Sequence, residues 1–260
     1  MELFRRSANL CHQDEMSRLR LDDALVRRSF YASRSRARDA VIRGKVLVAG
    51  KAIARPGYAV DPDIPIEVDD EARPYVSRAA LKLIHGLAHF EWSPEGLAAL
   101  DIGASTGGFT QVLLERGARH VTAIDVGHGQ LAQALRDDPR VTLIEGLNAR
   151  ELRKEHLGEA PQFVTADLSF ISLKLALPAA LDLAAPGARL IALIKPQFEV
   201  GREGLDRTGV VRDAALHQQA CDDIALWLKN KRWRVKHAVQ SPIAGGDGNK
   251  EFLIAAEKSC

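Results

Sequence analysis

The sequence predicts an α/β protein, a parallel, doubly wound sheet in a large C-terminal domain behind a small N-terminal α+β domain. Three observations carry this. From about residue 78 onward, short apolar runs alternate with helical sequence, as in successive βαβ units. One of those runs, Leu97-Ala-Ala-Leu-Asp-Ile, leads into a glycine-containing turn, Gly103-Ala-Ser-Thr-Gly-Gly, and then an amphipathic helix with Phe109, Val112 and Leu113 on one face. Residues 17–45 form a separate block in which nine arginines and lysines face three acids.

The elements come in order. Residues 1–16 show no apolar period and read as a flexible tail, with Met16 an alternative start. Leu21, Ala24 and Leu25 share one face of a first short helix. Ala37, Ala40 and Val41 share one face of a second, which stops at Gly44. Lys45–Ala49 reads as a strand, Gly50-Lys51 as a turn and Ile64–Val68 as a later strand. Asp69–Val76 is charged, contains Pro74 and reads as a linker. The domain boundaries expected are 17–72, a linker over 73–76, and 77–260. In the second domain a helix over 78–90 precedes strands near 97–101, 120–125, 141–145, 162–166 and 189–195, each followed by helical sequence. A helix near 213–230, a strand near 233–240 and a last strand over 252–256 complete the chain.

Composition bounds the function. Hydrophobic content of 46% and charged content of 27% belong to a soluble globular protein. The most apolar region, Leu173–Ile194, is broken by Lys174, Pro178, Asp182 and Pro186, so no stretch is fit to span a bilayer. The N-terminus has no apolar signal segment. Cys11, Cys221 and Cys260 are odd in number and show no metal spacing, which points to a cytoplasmic protein with free thiols and no metal. The 17–45 block is six charges positive, leaving the rest of a +2 chain at −4. Clustered arginine of this kind is a phosphate-binding footprint, here Arg18, Arg20, Arg34, Arg36, Arg43 and Lys45.

The turn after the first strand binds a nucleotide-like ligand. Its spacing is G-x-x-x-G-G. Ser105 stands where a dinucleotide fingerprint has its second glycine, so a pyrophosphate cradle is not expected. S-adenosylmethionine carries no phosphate and fits instead. Asp101, Gly103, Ala104, Ser105, Gly107, Gly108 and Phe109 form the turn. Asp125 ends the next strand, 22 residues after Gly103, where a carboxylate can take ribose hydroxyls. Asn148, just past the third strand, either contacts the adenine or caps a turn. His85 and His128 read as surface or packing residues, and Trp227 and Trp233 as core. The glycines at 201, 204 and 209 make either a lid or a tolerant surface loop.

Asp167 and Lys195 come after apolar strands at the carboxyl edge of the sheet, where parallel sheets bind ligands. If the last strand runs antiparallel, Glu251 begins it on the same edge. Lys82 lies on the helix leading into the first strand. Two lysines and two acids thus converge on one cleft. An amine that sheds its proton can deprotonate a hydroxyl, and two neighbouring lysines with partial burial favour that.

The N-terminal block resembles the S4-type RNA-binding domain at Leu21-Asp-Asp-Ala-Leu-Val-Arg-Arg, Ser35-Arg-Ala-Arg-Asp-Ala-Val and Gly44-Lys-Val-Leu-Val. It departs at Ala49, where that family has Asn or Asp. Ser77-Arg-Ala-Ala-Leu-Lys-Leu, Asp101-Ile-Gly-Ala-Ser-Thr-Gly-Gly-Phe, Ala166-Asp-Leu-Ser-Phe, Lys195-Pro-Gln-Phe-Glu and Gly248-Asn-Lys-Glu resemble the TlyA, or haemolysin A-like, family. The resemblance runs from about Arg18 to Glu257. It implies an S4-type domain fused to an FtsJ-like, Rossmann-like methyltransferase, with Lys82, Asp167, Lys195 and Glu251 as the Lys-Asp-Lys-Glu tetrad. It also implies a monomer that uses S-adenosylmethionine to methylate a ribose 2′-hydroxyl, usually of a cytidine, in the rRNA of a ribosomal subunit. The short stretch after Glu251 resembles the family's shorter group, which favours large-subunit (23S) rRNA.

Rival chemistries leave different marks. Methylation of adenine amino groups uses an Asn/Asp-Pro-Pro-aromatic loop, whereas Asp167-Leu-Ser-Phe lacks the prolines. Methylation of pyrimidine carbon uses a strand-edge cysteine, and none of the three cysteines lies at one. A ribosome assembly factor with an inactive methyltransferase fold would not need the tetrad. A membrane-active haemolysin would need a lipid-seeking segment, and the sequence has none.

Overall fold

The computed structural model of the chain describes residues 18–259. The tail expected over 1–16, the start at Met16 and the thiols of Cys11 and Cys260 lie outside the described residues. The chain divides into two compact units, Met1–Arg73 and Pro74–Cys260.

The first unit keeps closely to the apolar pattern. Strand β1 (Leu19–Arg20) leads into helix α1 (Leu21–Arg27). Helix α2 (Arg34–Ile42) starts where the Ser33 side chain accepts the Arg36 N–H, an N-cap that satisfies one of the first turn's free donors. Strands β2 (Val46–Val48), β3 (Lys51–Ala52), β4 (Ala59–Val60) and β5 (Ile66–Val68) come next. β1 pairs with β4, and β3-β2-β5 form a small antiparallel sheet. Leu21, Leu25, Ala37, Val41, Val46 and Val60 meet in its core. The β2–β3 turn is left-handed at both central residues, Ala49 at φ 47° and Gly50 at φ 75°. This primed geometry suits a two-residue hairpin, and an alanine adopts it at a cost.

The first half of the charged stretch Asp69–Val76 is tied to the first unit. Asp70 is buried. It accepts bonds from the Tyr31 hydroxyl (2.8 Å) and from two Arg43 nitrogens (3.0 and 2.8 Å). Burial alone would raise the Asp70 pKa, but Arg43 and Tyr31 hold it below the ordinary range. Arg36 donates to the carbonyls of Ala72 and Arg73. Residues 70–73 are therefore anchored in the first unit by side chains about 30 positions away, which local composition does not reveal.

The second unit opens with helix α3 (Ala80–Phe90). It continues through β6 (Ala98–Ile102), α4 (Gly108–Glu115), β7 (His120–Asp125), α5 (Gln133–Arg136), β8 (Val141–Glu145) and β9 (Phe163–Ala166). Then come α6 (Leu173–Ala176), α7 (Pro178–Leu183), β10 (Arg189–Ile194), α8 (Pro196–Glu199), α9 (Ala214–Asn230), β11 (Trp233–Gln240) and β12 (Phe252–Lys258). The seven strands lie in the order β11-β12-β10-β9-β6-β7-β8. The β6 to β10 pairings are parallel, and β12 runs antiparallel to both its neighbours. Strand order reverses between β6 and β9, the switch point where such sheets open a ligand crevice. Both faces are covered. Leu100, Ile102, Leu190 and Ile194 pack with α6, α7 and α9, while Ala99, Ile191 and Leu193 pack with α3 and α4.

The helices between strands are shorter than the alternation suggested. After β8 there are only two 3₁₀ turns, Ala149–Glu151 and Lys154–His156, because the charged run Arg150-Glu-Leu-Arg-Lys-Glu-His has no apolar face to bury. α5 is a single turn, ended before Pro139. Pro178 lacks an N–H and separates α6 from α7.

Candidate active site

The site is built from the residues just past the strand ends. Beyond β6, Gly103 has φ +81°, and a Cβ there would lie 2.5 Å from the Asp167 carbonyl oxygen. Only glycine lets the end of β6 pass this close to the end of β9. Ser105, also left-handed, donates its N–H to Asp125 Oδ2 at 2.8 Å, and Gly127 N–H reaches Oδ1 at 2.7 Å. Asp125 at the tip of β7 thus ties the turn together, with one lone pair left on each oxygen.

Three adjoining cavities open along this edge. The first, about 360 Å³, is lined by Asp125, Val126, Leu147, Ala149, Leu168 and Phe170, together with Gly103, Ser105 and Asp167. The second, about 220 Å³, shares those last three and adds Ala104, Gly108, Phe109 and Lys195. The third, about 450 Å³, shares Lys195 and Ser169 with the second and is walled by Gln197, Phe198, Asp247 and Glu251.

Lys82, Asp167, Lys195 and Glu251 meet where the second and third cavities join. Lys195 Nζ lies 2.7 Å from Asp167 Oδ1 and 2.9 Å from Ser169 Oγ. Lys82 Nζ lies 2.6 Å from Glu251 Oε2 and 3.5 Å from Asp167 Oδ2. Glu251 reaches this edge because β12 is antiparallel, with Phe252 opposite Ile194. All four are largely buried. Burial would raise the Asp167 carboxyl, yet the two ammonium groups hold it below its ordinary pKa. The ion pairs are close but poorly aligned: Asp167 Oδ1 and Glu251 Oε2 accept no hydrogen bond of good geometry. Lys195 lines both cavities, and Lys82 lines neither.

Three residues expected to touch a cofactor do not line these cavities. Asp101 is fully buried and accepts from Thr110 Oγ1 (2.7 Å) and Thr165 Oγ1 (2.9 Å). Burial pushes its pKa up to about 6. It braces α4 against β9 from behind the turn. Gly107 packs under α5, where a Cβ would lie 2.3 Å from a Leu135 methyl. The Asn148 side chain caps the 3₁₀ turn by accepting the Arg150 N–H at 3.1 Å, while its neighbours Leu147 and Ala149 line the cavity.

Several site residues had no assigned role in the sequence. Ser169 touches Lys195. Phe170 is 90% exposed, left-handed at φ 66°, and 5.4 Å from the Phe198 ring. Asn249 is fully buried and clamps the glycine loop. Its Oδ1 accepts the Val211 N–H (2.9 Å), and its Nδ2 donates to the Gly209 carbonyl (3.1 Å) and Asp247 Oδ2 (2.8 Å). Asp206 accepts bonds from Thr208, Val210 and Arg212, which hold its carboxyl well below the ordinary range. Leu205, Thr208 and Gly209 of this hydrogen-bonded loop line the third cavity.

In the first unit the arginines divide. Arg43 is committed to Asp39 and the buried Asp70, and Arg36 donates to the carbonyls of Ala72 and Arg73, so both also hold the first unit together. Arg20 and Arg34 share the fully buried Asp22, both at 3.1 Å, and Arg18 pairs with Asp61 on the surface. Burial opposes a charged Asp22, but the two guanidiniums lower its pKa. Arg27, Arg38 and Lys45 form no ion pair among the described residues, and Arg27 and Arg38 are exposed. No helix among the described residues is long and apolar enough to cross a membrane.

The FtsJ-like methyltransferase family matches residues 75–258, and the S4 domain matches residues 19–63. The chain is 43% identical to the 16S/23S rRNA (cytidine-2′-O)-methyltransferase TlyA of Mycobacterium tuberculosis, over 91% of this chain and 89% of that one. It is 39% identical to the 23S rRNA (cytidine-2′-O)-methyltransferase TlyA of Campylobacter jejuni, over 69% of each. A solved structure described as a hemolysin from Streptococcus thermophilus superposes with a TM-score of 0.75 at 38% identity, covering 94% of this chain and 90% of that one.

Proposed function

The chain belongs to the TlyA family of FtsJ-like methyltransferases, and we propose that it methylates the ribose 2′-hydroxyl of a cytidine in ribosomal RNA, using S-adenosylmethionine. The single observation that carries this reading is the cluster of Lys82, Asp167, Lys195 and Glu251, with Lys195 facing both the Gly103 turn and the larger third cavity.

The first two cavities fit the cofactor. Lys195 is the only basic residue among those lining them, so they suit a ligand without phosphate. Asp125 would hold the ribose hydroxyls, Val126 and Leu168 would flank the adenine, and the Gly103–Ser105 turn and Phe109 would hold the amino-acid end. S-adenosylmethionine supplies a methyl group already activated on a sulfonium. The protein's remaining tasks are alignment and removal of one proton. Lys195 Nζ would accept the 2′-hydroxyl proton as the oxygen takes the methyl group, the carbon–sulfur bond breaking so that the sulfonium leaves as the neutral thioether S-adenosylhomocysteine. Asp167 orients Lys195, and Glu251 holds Lys82 against Asp167. Only the neutral amine of Lys195 can accept that proton.

The RNA enters by the third cavity, where the exposed Phe170 ring offers a stacking surface. The S4-type unit carries Arg18, Arg20, Arg34 and Lys45 together with Arg27 and Arg38, and holds rRNA phosphates. The enzyme acts on large-subunit rRNA in the cytoplasm. The test is to incubate purified protein with methyl-labelled cofactor and unmodified large ribosomal subunits, then digest the rRNA to nucleosides. Label in 2′-O-methylcytidine is expected. Label on a base, or none, contradicts the reading.

A further inference from the structure

The third cavity carries a donor and an acceptor side by side. Gln197 Nε2 donates to Asp247 Oδ2 at 3.4 Å, the long limit of a hydrogen bond, so neither group is fully committed to the other. Asp247 is otherwise fixed. Asn249 gives it a backbone N–H at 3.1 Å and a side-chain N–H at 2.8 Å. Burial opposes its charge, but these bonds and the nearby Lys195 hold its pKa below the ordinary range, so it is an acceptor only. The Gln197 amide is fixed in turn. Turning it over would set Oε1 against a carboxylate, and the orientation holds although Oε1 is left buried without a partner. Both residues line the cavity that also holds Lys195 and Glu251.

The geometry points to Asp247 and Gln197 as the pair that reads the target base, selecting cytosine over uracil. This rests on the reading of the chain as a ribose methyltransferase. Cytosine presents an acceptor, N3, next to a donor, the N4 amine. Asp247 accepts from N4, a pairing that carboxylates make with cytosine, while Gln197 Nε2 donates to N3. Uracil presents the reverse order, N3–H beside O4, so donor meets donor and acceptor meets acceptor. Adenine carries the cytosine pattern on a larger ring, and its fit is decided by the cavity's size. Asn249 acts through Asp247 as a positioning residue.

The test uses the full chain and large ribosomal subunits carrying C, U or A at the nucleotide mapped as methylated. The wild type should favour C over U by about 10- to 100-fold in kcat/KM, the discrimination of one good two-bond contact. Asp247→Asn should bring that ratio within about threefold, mainly by losing activity on C, because an amide can face either edge. Gln197→Leu, on a different element, should lower the same ratio. Neither should change the Kd for S-adenosylmethionine, which a misfolded variant would. Equal methylation of C and U by the wild type overturns the assignment, as does a folded Asp247→Asn or Gln197→Leu that keeps the full preference. Failure of the wild type to methylate any of the subunits overturns the underlying reading instead, and this one with it.

Discussion

Replacing Gly103 with alanine should loosen the second unit and the cofactor site together. The residue sits at φ +81°, a left-handed conformation that costs an alanine about 1–2 kcal/mol. The new methyl would lie 2.5 Å from the Asp167 carbonyl oxygen and 3.1 Å from a Leu168 methyl. Leu168 can turn aside. The carbonyl cannot without dragging the Asp167 side chain, which adds an overpacking cost of about 1–3 kcal/mol. The stiffer unfolded chain returns about 0.4–1 kcal/mol, which leaves roughly 2–4 kcal/mol of destabilisation. All three tryptophans, Trp92, Trp227 and Trp233, belong to the second unit, so fluorescence in urea reports that unit alone. The midpoint should fall by about 1–2 M if the slope is near 2 kcal/mol/M. Calorimetry should show S-adenosylmethionine affinity reduced at least tenfold. A variant with unchanged midpoint and unchanged affinity would refute the claim that this turn is set by its contact with the end of β9.

Other positions give separate tests. Asp101 holds its proton up to about pH 6 in the folded chain, against an ordinary value of 3.8, so the native state binds more protons between those values. Its stabilising contribution is complete below pH 3.8 and is lost as pH rises through 6, a change on the order of 2–3 kcal/mol. Asp101→Asn should remove that slope in urea titrations across pH 4–7, and an unchanged slope would contradict the burial argument. Ala49→Asn should raise the melting point of the first unit by relieving about 1 kcal/mol of left-handed strain at an exposed turn, measured by scanning calorimetry, where a lowered melting point counts against it. Exchanging Arg27 and Arg38 for alanine should flatten the log–log salt dependence of rRNA binding by up to about two ions. Arg43→Ala should instead destabilise the first unit by about 3 kcal/mol, because it strands the buried Asp70.

The backbone plan was legible because each strand is a short apolar run closed by a residue of distinct chemistry. Asp125, Asp167 and Lys195 stand at or directly after the ends of β-sequence, and a single inference about the direction of β12 brought in Glu251. The features that stayed hidden depend on partners far along the chain. Asp70 looks like linker until Arg43 and Tyr31 fold over it. Asp101 looks like a ligand contact until Thr110 and Thr165 close around it. Asn148 offered two readings, and its bond to the Arg150 N–H shows the capping one. The arginine block overstated the exposed charge, since Asp22, Asp39 and Asp70 absorb several of its members. Phe170 closed a recognised motif, yet nothing local announces a left-handed backbone at a phenylalanine. Asn249 lay inside a recognised motif, yet its function as a clamp requires the loop at 209–211 to arrive.

The central claim is that Lys195 takes the ribose proton, and its variants test that most directly. Methyl transfer to unmodified large subunits would be measured for wild type, Lys195→Ala and Lys195→Arg under single-turnover conditions, with cofactor and rRNA binding measured alongside. Lys195→Ala should lose transfer by at least about 10³-fold while both ligands still bind, because the missing interaction belongs to the transition state. Lys195→Arg should be equally inactive, since a guanidinium keeps its charge and cannot accept a proton. Substantial turnover by the arginine variant would contradict the account, leaving Lys195 only an electrostatic guide for the hydroxyl.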